Sequence, residues 1–160
     1  MSVSLQVSVR SVTVGRKRVL GLAQAVLECI GESSADMSVS LVGDGRMRRL
    51  NRQYRQKDRS TDVLAFAFRE GVAPHRFNRS AAHLGDVIIA LPTAERQAKA
   101  ALRSVDEEIV ALLIHGVLHL CGYDHERSAD DALRMQRKER QVRRRLGPIA
   151  RFVRPSRNGR

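Results

Sequence analysis

His115-Gly116-Val117-Leu118-His119-Leu120-Cys121-Gly122-Tyr123-Asp124-His125 holds three of the five histidines of this 160-residue chain. The residues ahead of it, from Val105 on, are apolar over most of a helical circumference, which predicts a helix buried at the centre of the fold. His115 and His119 are four apart, so they share one face of that helix, about 6 Å apart along its axis. Gly122 suits a left-handed C-cap that turns the chain back and brings His125 beside the other two. Three neutral imidazoles with a fourth position open describe a catalytic Zn2+ site rather than a closed structural one.

The same spacing occurs in metzincin-type zinc proteases, which carry Glu directly after the first His as general base. Gly116 stands there in this chain, so peptide hydrolysis by that route lacks its proton acceptor. Asp124, beside His125, reads either as an outer carboxylate that accepts an imidazole N–H or as a turn residue. Cys121 points off the His115/His119 face by helical angle. It and Cys29 read as small buried residues rather than ligands or a disulfide pair. His75 and His83 are not expected to ligate.

Outward from the motif, the elements follow from periodicity and punctuation. Residues 2–9 alternate as a strand, and residues 16–30 form a helix with Val19, Leu22, Ala23, Val26, Leu27 and Ile30 on one face. Ser38–Val42 alternates again. Asp44 offers an N-cap for a helix to about Tyr54. Thr61–Phe68 and His83–Leu91 read as strands, joined by a loop over 69–81 that contains Gly71 and Pro74. Pro92 opens a helix to about Leu102. Ser104-Val105-Asp106-Glu107 is a capping box for the histidine helix. Ser128 caps a last helix that runs to about Arg145, ahead of Gly147-Pro148. The prediction is a single α+β domain: one small, mixed, four-stranded sheet with about five helices and a buried central helix carrying the metal site. Residues 1–147 make that domain. Residues 148–160 read as a basic, disordered tail.

The chain carries a formal charge of +12, and residues 143–160 supply seven arginines and no acid. That balance points to a polyanionic partner, nucleic acid or anionic lipid, against the plain reading of a solvated tail. Aromatics are only 4 % with no Trp, which argues against recognition by stacked bases. No apolar run is long enough to span a bilayer and no signal peptide is evident, so a cytoplasmic protein without a membrane partner is expected.

Two further segments join the histidine motif: Asn51-Arg52-Gln53-Tyr54-Arg55-Gln56-Lys57-Asp58-Arg59-Ser60-Thr61-Asp62-Val63-Leu64-Ala65-Phe66 and Leu84-Gly85-Asp86-Val87-Ile88-Ile89. In order and spacing the three resemble the YbeY family of zinc-dependent endoribonucleases, over roughly residues 35–145. The resemblance implies one Zn2+ per chain, held by His115, His119 and His125. It also implies single-strand-specific, metal-dependent cleavage of RNA in small-subunit rRNA maturation and ribosome quality control. The small ribosomal subunit, ribosomal proteins and ribosome-associated GTPases are the implied partners. The family's functional arginine, in its Y-R-x-x-D segment, matches Arg55. Ala65 departs from the family's usual Ser before the Phe of T-D-V-L-S-F. Chemistry agrees: phosphodiester cleavage builds negative charge on non-bridging oxygens, and a metal with a bidentate arginine answers it. Asp62 and Asp86 sit at strand starts, where they orient ligands or close loops. Two rivals are a metallohydrolase of another substrate, disfavoured by Gly116, and a non-catalytic ribosome-binding factor with structural zinc, disfavoured by the missing fourth ligand.

Overall fold

The computed structural model describes residues 2–68 and 83–156. In chain order the elements are β1 (Val3–Val7), β2 (Val12–Val14), α1 (Arg16–Cys29), β3 (Asp36–Val42), α2 (Asp44–Arg55), β4 (Val63–Ala67), β5 (His83–Ala90), α3 (Leu91–Ala100), α4 (Val105–Leu120), α5 (Ala129–Leu146) and β6 (Val153–Pro155). The loop expected over 69–81, and His75 within it, lie outside the described residues.

The main sheet has four strands in the order β1-β3-β5-β4. β1 and β5 both run parallel to β3, while β4 pairs antiparallel with β5, Val63 opposite Ile89 and Ala67 opposite Gly85. Parallel neighbours need a crossover, and α1 supplies the one between β1 and β3. The expected α+β domain with a mixed four-stranded sheet is therefore what forms.

α4 is the core helix. Ile109, Val110, Leu113, Ile114, Val117 and Leu118 are all buried, against side chains from α1, α3, α5 and the sheet. A helix apolar all round has no stable place except the interior. Its start is capped as predicted, with Ser104 Oγ accepting from the Glu107 N–H at 3.1 Å. α5 is capped the same way, Ser128 Oγ accepting from the Asp131 N–H at 3.1 Å.

Two expectations are corrected. Gly43, not Asp44, is the N-cap of α2. The Asp44 carboxylate is drawn instead to α3, where it accepts from Thr93 Oγ1 and Arg96 Nη2, each at 2.8 Å. The second correction concerns the C-terminus. Residues 148–156 are ordered: β6 pairs antiparallel with β2 as a second, two-stranded sheet, and Phe152 and Val153 are buried in the main core. The buried Asp106 carboxylate accepts the N–H groups of Phe152 at 2.6 Å and Val153 at 2.9 Å. Those two bonds and one large aromatic outweigh the solubility of the neighbouring arginines. Residues 157–160 lie outside the described residues.

Candidate metal centre

The last turns of α4 carry His115 and His119 on the face predicted for them. Their Nε2 atoms are 3.2 Å apart and their ring centroids 4.7 Å apart. The helix then ends in a Schellman-type cap: Gly122 has φ +92°, its N–H donates to His119 O at 3.0 Å, and the Tyr123 N–H donates to Leu118 O at 3.1 Å. A side chain at φ +92° is strained, which is why glycine stands there. The turn continues with Asp124 Oδ1 accepting the Glu126 N–H at 2.8 Å, a closed loop around His125. His125 thereby lies with its ring centroid 5.3 Å from that of His115 and 5.2 Å from that of His119.

One ligand atom from each of the three histidines lies within 4.8 Å of the other two. Donors about 2.0–2.1 Å from a tetrahedral ion sit roughly 3.3 Å apart, so the His115–His119 spacing is the spacing such an ion requires. Burial holds the His119 imidazolium below its ordinary pKa, and the charges of His115 and His125 push the same way. The ring is therefore a neutral lone-pair donor near pH 7. Cys121 is not part of the cluster.

Asp124 serves the turn. Its carboxyl is held below its usual range by the Glu126 N–H first and by Arg127, whose Nε is 3.3 Å away. Among the described residues, Glu126 Oε1 lies 3.9 Å from His125 Nε2, while the carboxylate within hydrogen-bond distance of a histidine of the cluster is Glu139 on α5, with Oε1 3.1 Å from His115 Nδ1. Sequence reasoning missed it. A signal exists: Met135, Glu139, Val142 and Leu146 form the inward stripe of α5, and Glu139 is the one acid on it.

The histidines open onto a cleft of about 930 Å3 whose other wall is the end of α2, the following loop and β4. Arg55, the last residue of α2, lines that cleft. Its Nη2 donates to Ala65 O on β4 at 2.9 Å, and its guanidinium lies 5.4 Å from the Phe66 ring centroid. Lys57 and Arg59 line the same cleft. Asn51 pins their loop, donating to Arg59 O at 2.8 Å while its own carbonyl accepts the Lys57 N–H at 3.3 Å. Asp62 is a fastener, with Oδ1 accepting the Val63 N–H at 2.8 Å and Oδ2 accepting from Gln97 at 3.2 Å. Asp86 bonds Ser38 across the β3–β5 pair, and His83 stacks edge-on with Phe68, so neither joins the histidines.

Gly116 is fixed by packing. A Cβ there would lie 2.7 Å from Val87 Cγ1 and 3.4 Å from Val63 Cγ2. That side of α4 lies against the sheet, so the glutamate of the metzincin pattern has no room in this fold.

A family model described as Endoribonuclease YbeY matches residues 4–147. A curated relative from Anaeromyxobacter sp. (strain Fw109-5), named Endoribonuclease YbeY, is 45 % identical over 138 residues, which are 86 % of this chain and 68 % of that protein. One of the same name from Geobacter metallireducens is 40 % identical over 144 residues, 89 % of this chain and 93 % of that one. Among solved structures, the solution structure of TM1509 from Thermotoga maritima matches with a TM-score of 0.56 at 24 % identity, covering 92 % of this chain and 94 % of that one. It supports the fold.

Proposed function

The chain belongs to the YbeY family of metal-dependent endoribonucleases, and from that premise we propose that it cuts single-stranded regions of small-subunit rRNA with one Zn2+ held by His115, His119 and His125. The observation that carries the proposal is the convergence of three imidazoles in one cleft with Arg55, Lys57 and Arg59. When bound, the ion supplies a Lewis acid and a local positive charge beside the scissile phosphate.

The side chains divide the remaining work. His115, His119 and His125 present ring nitrogens as metal donors. Glu139 accepts the Nδ1–H of His115, which fixes the tautomer that leaves Nε2 free as donor. Arg55 is anchored by one N–H on Ala65 and by the Phe66 ring, and it makes no other hydrogen bond among the described residues. Its planar fork is thus pre-set for the non-bridging oxygens, where charge develops in the transition state. Lys57 and Arg59 hold flanking phosphates as positive groups on a pinned loop. Asp124 contributes by shaping the turn that delivers His125.

We further place this activity on the ribosomal small subunit in the cytoplasm, with ribosomal proteins or ribosome-associated GTPases as partners. The family membership and the charge of +12 support that placement. No helix among the described residues is long and apolar enough to cross a membrane.

Metal analysis coupled to cleavage of purified rRNA tests the reading. The wild-type chain is expected to carry one zinc and to cut. His115→Ala is expected to lose both the metal and the cutting. Full zinc occupancy in His115→Ala, or cleavage by it at the wild-type rate, removes the metal centre from the function.

A further inference from the structure

α5 has two faces of opposite character. The inward stripe packs into the core and sends Glu139 to His115. The outward face carries Arg134, Arg137, Arg140, Arg144 and Arg145, all exposed. Arg137, Arg140 and Arg144 follow one another at i+3 and i+4, and Arg134 and Arg145 extend the row at its ends. At 1.5 Å per residue the row is about 17 Å long.

Some exposed arginines elsewhere lie beside carboxylates, Arg48 by Asp58, Arg96 by Asp44 and Arg127 by Asp124, while others such as Arg18, Arg46 and Arg49 stand without an ion pair among the described residues; what sets α5 apart is five such arginines on one helix. None of the five on α5 makes an ion pair among the described residues. Like charges at i+3 and i+4 destabilise a helix. The helix dipole accounts for Arg144 and Arg145 in the last turns, but Arg134, Arg137 and Arg140 lie too far from the C-terminus to gain from it. An external anion is the partner that a row of this charge suits.

We propose that the outward face of α5 is a second contact for the RNA backbone, outside the cleft, on which folded RNA flanking the cut strand rests. This goes further than the proposed endoribonuclease function and depends on it. RNA fits better than a lipid surface because a membrane-lying helix offers a broad apolar face outward, whereas the apolar stripe of α5 packs into the core and Leu133 alone of its large apolar side chains stands exposed. Arginine forks on a rigid helix match a line of phosphates. The Glu139–His115 contact also places α5 beside the metal centre. The arginine face is thus on the far side of the helix that touches His115.

The test is the zinc-loaded chain carrying Arg137→Gln, Arg140→Gln and Arg144→Gln together, with the fold checked by circular dichroism. It is compared with wild type on a folded small-subunit rRNA fragment and on a short single-stranded oligonucleotide. Losing three phosphate contacts should lower the slope of log affinity against log salt by about 2, at 0.7–0.9 per contact. The preference in kcat/KM for folded over short RNA should fall on the order of tenfold. An unchanged slope overturns the proposal. So does an equal loss on both substrates, which assigns these arginines to the cleft or to the fold. Loss of binding to anionic phosphatidylserine vesicles with RNA binding intact assigns the face to a membrane instead. A wild-type chain that neither binds nor cuts RNA sinks the endoribonuclease reading along with this one, whereas RNA cleavage indifferent to the three arginines sinks only this one.

Discussion

Arg55 and Glu139 reach the histidine cleft from different helices, and their substitutions should fail in different ways. Arg55→Lys keeps the charge and loses the planar fork. One lost transition-state contact costs on the order of 3 kcal/mol, about a hundredfold in single-turnover cleavage. Zinc content should stay constant, since Arg55 is no ligand. Arg52→Lys, one turn earlier and beside Asp58 at 4.0 Å, is the control and should be nearly silent. Equal rates for Arg55→Lys and wild type would leave the metal alone to carry the charge. Glu139→Gln should instead weaken the metal by about 10–100-fold, read by competition with a chelator, because the outer carboxylate raises the basicity of His115. Unchanged zinc affinity in Glu139→Gln makes the Glu139–His115 bond incidental. The two residues also differ in how legible they were. The three histidines are local, brought together by helical spacing and one capping glycine, so the sequence displays them. Arg55 stands out only through its place in the Y-R-x-x-D segment. Glu139 is 24 residues from His115 and meets it only once α5 packs on α4.

Between elements, the Asp44 carboxylate is the fastener to test, because it ties α2 to α3 through Thr93 and Arg96 and also faces Ser60 at 3.5 Å. Burial raises its pKa, but the bonds from Arg96 and Thr93 together outweigh burial and hold it below the ordinary value. A carboxyl with a depressed folded pKa stabilises the fold above its unfolded value of about 3.9, and that contribution is lost as pH falls through the folded value. Asp44→Asn should therefore lower the melting temperature at neutral pH, and the gap to wild type should close as pH drops below about 4. A gap that is constant from pH 7 to pH 2 would mean that packing, not charge, sets the effect. Elements with long periodic signals and strong caps were readable: α1, α4, α5 and the four strands of the main sheet all lie where alternation, apolar stripes and Ser caps put them. β2 and β6 were not. Each is three residues long, too short to show a period, and Pro155 with the adjacent arginines resembles a loop. Their pairing joins residues about 140 positions apart, Val12 to Pro155 and Val14 to Val153, a relation no local pattern carries.

That pairing closes the whole molecule, since it ties the C-terminal segment to the start of the fold and to the N-terminus of α4. Phe152 and Val153 are 4 % and 6 % exposed, and Gly15 donates its N–H to Phe152 O at 2.7 Å. Asp106 sits in the first turn of α4, where its negative charge also suits the helix dipole, and it accepts the backbone N–H groups of Phe152 and Val153. A chain stopped after Gly147 loses the aromatic side chain, both donors and the β2 partner at once. Deleting a buried Phe side chain alone costs about 3–5 kcal/mol. For a domain of this size that is on the order of 10 °C in melting temperature. Water entering beside Asp106 offsets part of the lost hydrogen bonding, so the Phe term dominates. A chain stopped after Ser156 keeps β6 and should melt within a degree or so of wild type, because surface changes away from such features are usually worth less than about 0.5 kcal/mol. Phe152→Ala in the full-length chain separates packing from charge, since it removes no arginine and should reproduce most of the loss seen on stopping after Gly147. The three proteins compared by thermal unfolding at equal zinc loading decide the point. If stopping after Gly147 leaves the melting temperature unchanged, residues 148–156 are an appendage and Arg151 and Arg154 are free to move. If it falls as expected, those two arginines are held at fixed positions on a strand, part of a rigid basic surface rather than a loose electrostatic anchor.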